Sequence, residues 1–222
     1  MIHVIIADDH PLVRAGMKHL LQDCDDVEFS GEVENGLDLV AILRKQKFDV
    51  VLMDLFMPGR NGLELIKQIK NENPTVPVLV LSTHKEDIYA IRSIKAGAAG
   101  YICKDYAASE LVTAIRKVAS GGCYISAKVA ELMAKDMQST KSENLGHTLL
   151  SDREYQVFLL IANGFSSSEI AQELNLSIKT ISTHKARIKE KTNLANTSEI
   201  TRYAIKHQLI SDITDSNQTQ TS

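Results

Sequence analysis

Acidic, hydroxyl and basic side chains follow four short apolar segments in the first half of the chain. Asp8 and Asp9 follow IHVIIA, Asp54 ends DVVLMD, Ser82 follows VPVLVL, and Lys104 follows GYIC. If these segments are parallel strands of one sheet, their carboxyl ends meet at one edge and bring the side chains together. Clustered carboxylates repel one another unless a cation compensates, and Mg²⁺ prefers such oxygen ligands. One carboxylate can then attack phosphorus, with Lys104 supplying positive charge to the phosphoryl oxygens.

Asp54 is the better candidate for the nucleophile, because it is a lone acid at the end of an apolar run and precedes the loop LFMPGRNG. Asp8 and Asp9 are adjacent, so their side chains diverge and can approach a metal from two directions. Taken singly, such residues are more often helix caps, turn formers or solvated charges. Taken as a set of four strand ends, they favour the functional interpretation.

The elements that must position these side chains follow from the hydrophobic pattern. Uniformly apolar segments alternate with amphipathic stretches, which predicts a parallel sheet covered on both faces. Five such units predict a doubly wound, flavodoxin-like α/β domain with a five-stranded parallel sheet over residues 1–121. The predicted strands are residues 2–7, 27–31, 49–53, 76–81 and 100–103.

A different pattern follows residue 121. Residues 126–137 predict an amphipathic helix and MQSTKSENLGHT predicts a flexible linker, so residues 122–146 are assigned to helix and linker. Residues 147–210 predict a small all-α domain of four helices, with a capping box at Ser151 and Glu154. The predicted helices are residues 152–162, 167–174, 177–191 and 198–207. Residues 211–222 predict a tail that is too polar to pack.

The second and third of these helices predict a helix-turn-helix. The formal net charge of −3 gives no indication of nucleic acid, but residues 179–191 hold five cations and one anion. Ile178, Ile181 and Ile188 predict a buried seam on the third helix, with Lys185 at its edge. The opposite face mixes cations with small polar side chains, as a helix in a major groove requires, although a solvated amphipathic helix is the alternative.

The first domain resembles a known family through several separated motifs. The strings IIADDHPLVRAGM, DVVLMDLFMPGRNGLELI, VLVLSTHKED and AGAAGYICKD are similar to the receiver domain of bacterial two-component response regulators. The resemblance implies that Asp54 accepts a phosphoryl group from a sensor histidine kinase. It also implies that Mg²⁺ is bound by Asp8, Asp9, Asp54 and the backbone carbonyl of Phe56.

The same resemblance implies a switch. Lys104 would contact the phosphoryl group, while the Ser82 hydroxyl turns toward it and the Tyr101 ring follows inward. The charge added at one site would then shift the equilibrium between two arrangements of part of the fold. For Tyr101, a half-buried aromatic of the sheet is the alternative.

The helical segment LSDREYQVFLLIANGFSSSEIAQELNLSIKTISTHKARIKEK resembles the LuxR-type helix-turn-helix. Together with the receiver domain, it gives the domain order of the NarL/FixJ-type response regulators. The resemblance implies that Ser182 and Thr183 face the bases of double-stranded DNA. The implied phosphate contacts are Lys179, Thr180, Lys185 and Arg187.

These features predict a cytoplasmic transcriptional regulator, not an enzyme beyond Mg²⁺-dependent self-phosphorylation and dephosphorylation at Asp54. Three cysteines without CxxC spacing argue against a disulfide framework or a zinc site and fit a reducing cytosol. No apolar run approaches the roughly 18 residues that span a membrane.

We expect a homodimer when the chain is phosphorylated, since two-fold pairing matches paired half-sites on DNA. Residues 198–207, with Ile200, Tyr203 and Ala204, are a candidate dimer face, and core packing is the alternative.

Two other functions compete with this prediction. A Mg²⁺-dependent phosphohydrolase would use Asp54 as its nucleophile, but it needs a second acid nearby. Leu55, Phe56 and Met57 supply none. A regulator that works without phosphorylation is the second rival, and the intact set of acidic residues and Lys104 argues against it.

Overall fold

A computed structural model describes residues 1–57, 61–82, 88–138, 146–207 and 209–210. The chain divides into two compact units, Met1–Thr140 and Lys141–Ser222. The predicted polar tail, most of the predicted linker and the middle of the loop after Asp54 lie outside the described residues.

The first unit is built on a five-stranded parallel sheet, as the alternating pattern predicts. The strand order is β2-β1-β3-β4-β5, so the direction of chain progression reverses between β1 and β3. Both neighbours of β1 pair with it in parallel, and the register places Ala7 beside Met53. The strands are β1 Ile2–Ala7, β2 Val27–Val33, β3 Val50–Asp54, β4 Val78–Ser82 and β5 Gly100–Cys103.

Helices cover the sheet because β3, β4 and β5 are buried and mainly apolar on both faces. One core cluster joins alternate residues of β1, β3, β4 and β5 to the apolar sides of the first and fifth helices, including Met17, Leu21 and Ile115. The helices of this unit are α1 Pro11–Gln22, α2 Gly36–Leu43, α3 Gly62–Glu72, α4 Ile88–Lys95, α5 Ala107–Ala119 and α6 Ala127–Gln138.

The chain after α5 returns to the sheet before α6 begins. The Tyr124 backbone donates to the Ala99 carbonyl at 2.9 Å and accepts from the Tyr101 N–H at 3.0 Å. Gly100 makes this approach possible, because a Cβ there would lie 2.6 Å from the Tyr124 carbonyl oxygen. Tyr124 and α6, which the sequence assigns to the stretch 122–146, therefore belong to the first compact unit.

The second unit contains the four expected helices, each within two residues of its predicted bounds at either end. They are α7 Asp152–Ala162, α8 Ser167–Glu173, α9 Ile178–Thr192 and α10 Thr197–Lys206. The capping box of Ser151 and Glu154 is confirmed, and Ser166 and Glu169 form a second one at the start of α8. None of the helices in the described part of the chain is long and apolar enough to cross a membrane.

Two local predictions were wrong. His147 falls in the stretch MQSTKSENLGHT, yet it is buried in a 3-10 turn at Gly146–Leu149, and its Nδ1 lies 2.8 Å from the Tyr203 hydroxyl. Ile178 was placed in the buried seam of α9 but is 55% exposed, whereas Ile181 and Ile188 are fully buried. At about 100° per residue, Ile178 lies about 60° around the helix from Ile181 and about 80° from Ile188, so it falls outside the buried face.

Candidate functional site

The ends of β1 and β3 bring the predicted acidic residues together. The two strands are neighbours at the point where the strand order reverses, which is where open α/β sheets form ligand sites. Asp8 is fully buried, Asp54 is 3% exposed and Asp9 is half-buried. Buried carboxylates are costly unless they are paired, so this cluster requires compensating charge.

Lys104 follows the end of β5, two strands away from β3, and supplies part of that charge. Its side chain reaches past the end of β4 and places Nζ 2.7 Å from Asp8 Oδ2 and 2.8 Å from Asp54 Oδ2. Burial raises the pKa of the Asp54 carboxyl, and the neighbouring ammonium offsets this only in part. Burial disfavours the charged form of Lys104, but its ion pairs with Asp54 and Asp8 outweigh burial and raise its pKa.

The donor set fits a divalent cation. Asp8, Asp9, His10 and Asp54 each offer a ligand atom, and these atoms lie within 4.8 Å of one another. Asp8 Oδ2 lies next to Lys104 Nζ and Asp9 Oδ1 next to His10 Nδ1, but a carboxylate oxygen has two lone pairs, so each can still bind a cation. Three carboxylates and one ammonium leave a net charge of about −2 when all are ionised, which a divalent ion would balance.

The other predicted residues of the first unit surround this cluster. The Phe56 N–H donates to Asp54 Oδ1 at 3.2 Å, which places the Phe56 backbone beside the predicted nucleophile. Ser82 ends β4, in register with Cys103 just before Lys104. Ser82 is fully buried and Tyr101 is 1% exposed, so the Tyr101 ring already lies inside the unit, not half-buried.

Arg14, which stands in the string IIADDHPLVRAGM, is a further residue of this site that the sequence pattern did not reveal. Arg14 is buried on α1, and its Nη1 donates to the Asp8 carbonyl oxygen at 2.7 Å. Its guanidinium also bonds Glu32 and Glu34, at and just beyond the end of β2. Arg14 therefore fixes the backbone that carries the acidic pair. The sequence could have indicated this role, because Arg14 falls on the inward-facing side of an amphipathic helix, where a cation needs a partner.

The second unit presents α9 as its cationic surface. Lys179, Ser182, Thr183 and Arg187 are exposed, as predicted for a face that enters a groove. Thr180 and Lys185 are half-buried and bond to their own unit. The Thr180 hydroxyl lies 2.8 Å from that of Ser177 at the start of α9, and Lys185 Nζ donates to the Ser167 hydroxyl at 3.2 Å.

The hydroxyls of the two predicted base-contacting residues point along the helix. Ser182 Oγ donates to the Ile178 carbonyl at 3.0 Å, and Thr183 Oγ1 donates to the Lys179 carbonyl at 3.1 Å. Each oxygen keeps lone pairs that can accept from a base edge, and the Thr183 methyl group can meet a thymine methyl group.

An ion pair anchors the far end of α9 to α7. Lys191 Nζ lies 2.6 Å from Glu154 Oε2, and Glu154 is 3% exposed. Burial would raise the pKa of Glu154, but the hydrogen bonds from Lys191 and from Ser151 outweigh burial and lower it. The local sequence predicts Glu154 only as a cap, because an ion pair between residues 37 apart leaves no local pattern.

Of the two interpretations of Ile200, Tyr203 and Ala204, the structure supports core packing. Ile200 is 6% exposed and Ala204 is fully buried, and the Tyr203 ring packs edge-on against Phe158 of α7. The apolar side of α10 thus belongs to the core of its own unit. The open side lines a shallow groove of about 370 Å³, formed by Thr197, Ser198, Thr201, Arg202 and Ile205.

Comparison with known proteins agrees with this geometry in both units. Residues 4–116 match the family model of the response regulator receiver domain, and residues 148–204 match that of the bacterial regulatory proteins of the luxR family. The chain belongs to the two-component response regulators. Its domain order is that of the NarL/FixJ type, with a receiver domain followed by a LuxR-type DNA-binding domain.

Similar proteins span nearly the whole chain. The response regulator UvrY of Escherichia coli is 39% identical over 98% of this chain and 100% of its own length. The response regulator GacA of Pseudomonas aeruginosa is 37% identical over 95% of this chain and 98% of its own. A solved structure of the RcsB response regulator of Salmonella typhimurium is 32% identical, with a TM-score of 0.68, over 91% of this chain and 96% of that one. RcsB has also been solved in complex with DNA, with a TM-score of 0.57 to this chain.

The Glu154–Lys191 pair gives a stability prediction with a defined pH dependence. Because the pKa of Glu154 in the folded unit lies below its usual 4.5, the pair stabilises the unit above that pH. This stability is lost as the pH falls through the lowered pKa. We expect Glu154→Gln to destabilise the unit by about 1–3 kcal/mol at neutral pH, with a smaller difference in acid. Hydrogen exchange of the α7 and α9 amides in the full chain measures this change.

The matched control is Glu173→Gln, which removes an exposed carboxylate of α8. This variant should exchange like the parent chain at every pH. Equal protection of the α7 and α9 amides in Glu154→Gln and the parent at neutral pH would show that the ion pair does not hold α9.

Proposed function

We propose that Asp54 is the phosphoacceptor of this response regulator and that its phosphorylation by a sensor histidine kinase controls DNA binding by the second unit. The position of Lys104 carries the proposal. Its ammonium lies within 2.8 Å of both Asp54 and Asp8, so an incoming phosphoryl group finds a cation beside the nucleophile. Among the described acids, Asp54 combines a raised pKa with a place at the end of a central strand.

The transfer is a displacement at phosphorus. An Asp54 carboxylate oxygen forms a bond to the phosphorus of the kinase phosphohistidine while the P–N bond breaks, and the histidine nitrogen leaves with the electron pair. Asp8, Asp9, Asp54 and the Phe56 carbonyl would hold Mg²⁺, which when bound neutralises charge on the phosphoryl oxygens. Lys104 exchanges a carboxylate partner for a phosphoryl oxygen. The self-phosphorylation and dephosphorylation at Asp54 make the chain a switch, not a turnover enzyme.

Ser82 and Tyr101 are proposed to transmit this charge change. Ser82 lies one residue beyond Leu81, which is in register with Asp54, so its hydroxyl is near the position of a phosphoryl oxygen. Tyr101 pairs with Val80 on the next strand and shares a face of the sheet with Ser82. When the Ser82 hydroxyl turns toward the phosphoryl group, it changes the space beside the Tyr101 ring. The added charge can thus shift the equilibrium between two arrangements of these side chains.

The DNA-binding unit is proposed to place α9 in the major groove. Ser182 and Thr183 would meet base edges, and Lys179, Thr180, Lys185 and Arg187 would meet phosphates. Thr180 and Lys185 would first have to give up their bonds to Ser177 and Ser167. We also propose that the phosphorylated chain is a homodimer in the cytoplasm, because one small helix-turn-helix buries little surface on DNA.

Phosphorylation should occur at Asp54 alone. We expect acetyl phosphate and Mg²⁺ to add one phosphoryl group to the parent chain and none to Asp54→Asn, measured by intact-protein mass spectrometry. Excess chelator should prevent the addition, because the carboxylates otherwise repel the incoming anion.

The control is Asp25→Asn, which removes an exposed acid outside the cluster and should be phosphorylated like the parent. Addition of a phosphoryl group to Asp54→Asn would refute the assignment of the nucleophile. Undiminished addition in excess chelator would refute the metal requirement.

Substitutions on α9 should affect sequence discrimination and the salt dependence of DNA binding separately. Thr183 lies at the centre of the exposed face, so Thr183→Ala should reduce discrimination between specific and scrambled duplexes by about 1–3 kcal/mol and leave the salt dependence intact. Arg187→Ala should weaken binding to all duplexes alike and reduce the salt slope by about one unit. Titrations of both duplexes at several salt concentrations measure the two effects.

Lys47→Ala is the charge-matched control, because Lys47 is exposed but lies in the first unit, outside the DNA-binding unit. Its salt slope should equal that of the parent. A changed salt slope in Thr183→Ala, together with altered sequence preference in Arg187→Ala, would mean that a different face of α9 enters the groove.

A further inference from the structure

His10 is drawn into the acidic cluster by contacts that its place in the helix does not explain. It is the N-cap residue of α1, but its side chain makes no capping hydrogen bond. Its Nδ1 instead lies 3.2 Å from Asp8 Oδ1 and 3.0 Å from Asp9 Oδ1. The His10 N–H also donates to Asp8 Oδ1 at 2.9 Å, which holds the backbone of the residue against the cluster.

These separations are those of hydrogen bonds between the imidazole and the carboxylates, and they also match the spacing between neighbouring ligands of one metal ion. Neighbouring ligands of an octahedral ion at about 2.1 Å lie about 3.0 Å apart, and opposite ligands lie about 4.2 Å apart. The ligand atoms of Asp8, Asp9, His10 and Asp54 lie within 4.8 Å of one another. A cation placed among them would therefore need only a small contraction of the cluster to meet the imidazole nitrogen as well as the carboxylates.

An imidazole nitrogen changes which ions such a site prefers. Mg²⁺ is a hard ion that favours oxygen and retains several waters, so it gains little from His10. First-row transition-metal dications accept imidazole readily, and their affinity for mixed nitrogen and oxygen sites rises from Mn²⁺ toward Ni²⁺. His10 would thus raise the affinity of the site for transition-metal dications and leave its affinity for Mg²⁺ almost unchanged.

We propose that His10 is a ligand for transition-metal dications at the phosphorylation site and makes this site bind Ni²⁺ or Mn²⁺ more tightly than the carboxylates alone would. This inference rests on the metal site of the proposed function. It adds a fourth side chain to that site and a selectivity that Asp8, Asp9 and Asp54 do not confer by themselves. The side chain of His10 is 63% exposed, so an ion and the ring can meet without opening the core.

The test compares two metals in the full chain. Calorimetric titrations with NiCl₂ and with MgCl₂, at one fixed and mildly alkaline pH, are carried out on the parent, His10→Ala and Asp9→Asn. We expect His10→Ala to weaken Ni²⁺ binding at least about tenfold and to leave Mg²⁺ binding unchanged. We expect Asp9→Asn to weaken the binding of both ions. His19→Ala, which removes an exposed histidine of the same helix, should behave as the parent and controls for adventitious surface binding.

A spectroscopic measurement identifies the ligand directly. Electron spin-echo modulation of the Mn²⁺-loaded chain should show coupling to an imidazole nitrogen, and His10→Ala should lose it. Mn²⁺ bound without nitrogen coupling, or equal Ni²⁺ affinity in the parent and His10→Ala, overturns the role of His10 while the carboxylate site stands. Tighter Mg²⁺ binding by His10→Ala also overturns it, because the ring would then be a competitor of the cation. Mg²⁺ binding that Asp9→Asn leaves unchanged overturns the metal site itself.

Discussion

The excess of negative charge at the carboxyl end of the sheet is the constraint on which the first unit depends. Asp8 and Asp54 are buried side by side because β1 and β3 are neighbours, and Lys104 bridges both of them. One ammonium cannot balance three carboxylates, so the site favours a further cation. In the proposed function, a phosphoryl oxygen replaces one of the carboxylates that Lys104 contacts. Arg14 holds the Asp8 backbone at this edge of the sheet through a hydrogen bond to the Asp8 carbonyl oxygen.

The second unit holds the cationic helix α9 in one orientation and leaves one face of that helix exposed. Ile181 and Ile188 bury one side of α9, and the Glu154–Lys191 pair fixes its far end to α7. The exposed side keeps Lys179, Thr183 and Arg187 free of the core. Charge on this face is therefore not needed for the packing of the unit, as the proposed contact with DNA requires.

Sequence patterns predicted most of the architecture, because strand and helix periods are local properties. The strand ends, the capping box at Ser151 and the two-domain order follow from them directly. Three features did not. The burial of His147 depends on a partner 56 residues away, Tyr203. The exposure of Ile178 follows from its position about 60° around α9 from Ile181, and periodicity alone does not say how wide the buried face is. The apolar side of α10 was ambiguous, because periodicity gives an apolar face but does not say whether its own core or a second copy covers it.

The central claim is that the charge arrangement around Asp54 and Lys104 controls DNA binding by a separate unit. The most direct measurement is the affinity of the full chain for a fluorescent duplex selected by this protein from random sequence, with and without beryllofluoride and Mg²⁺. The parent chain should bind more tightly with beryllofluoride, and Lys104→Ala should lose this gain while still binding Mg²⁺. Equal affinity of the parent in both conditions, or an undiminished gain in Lys104→Ala, would contradict the account.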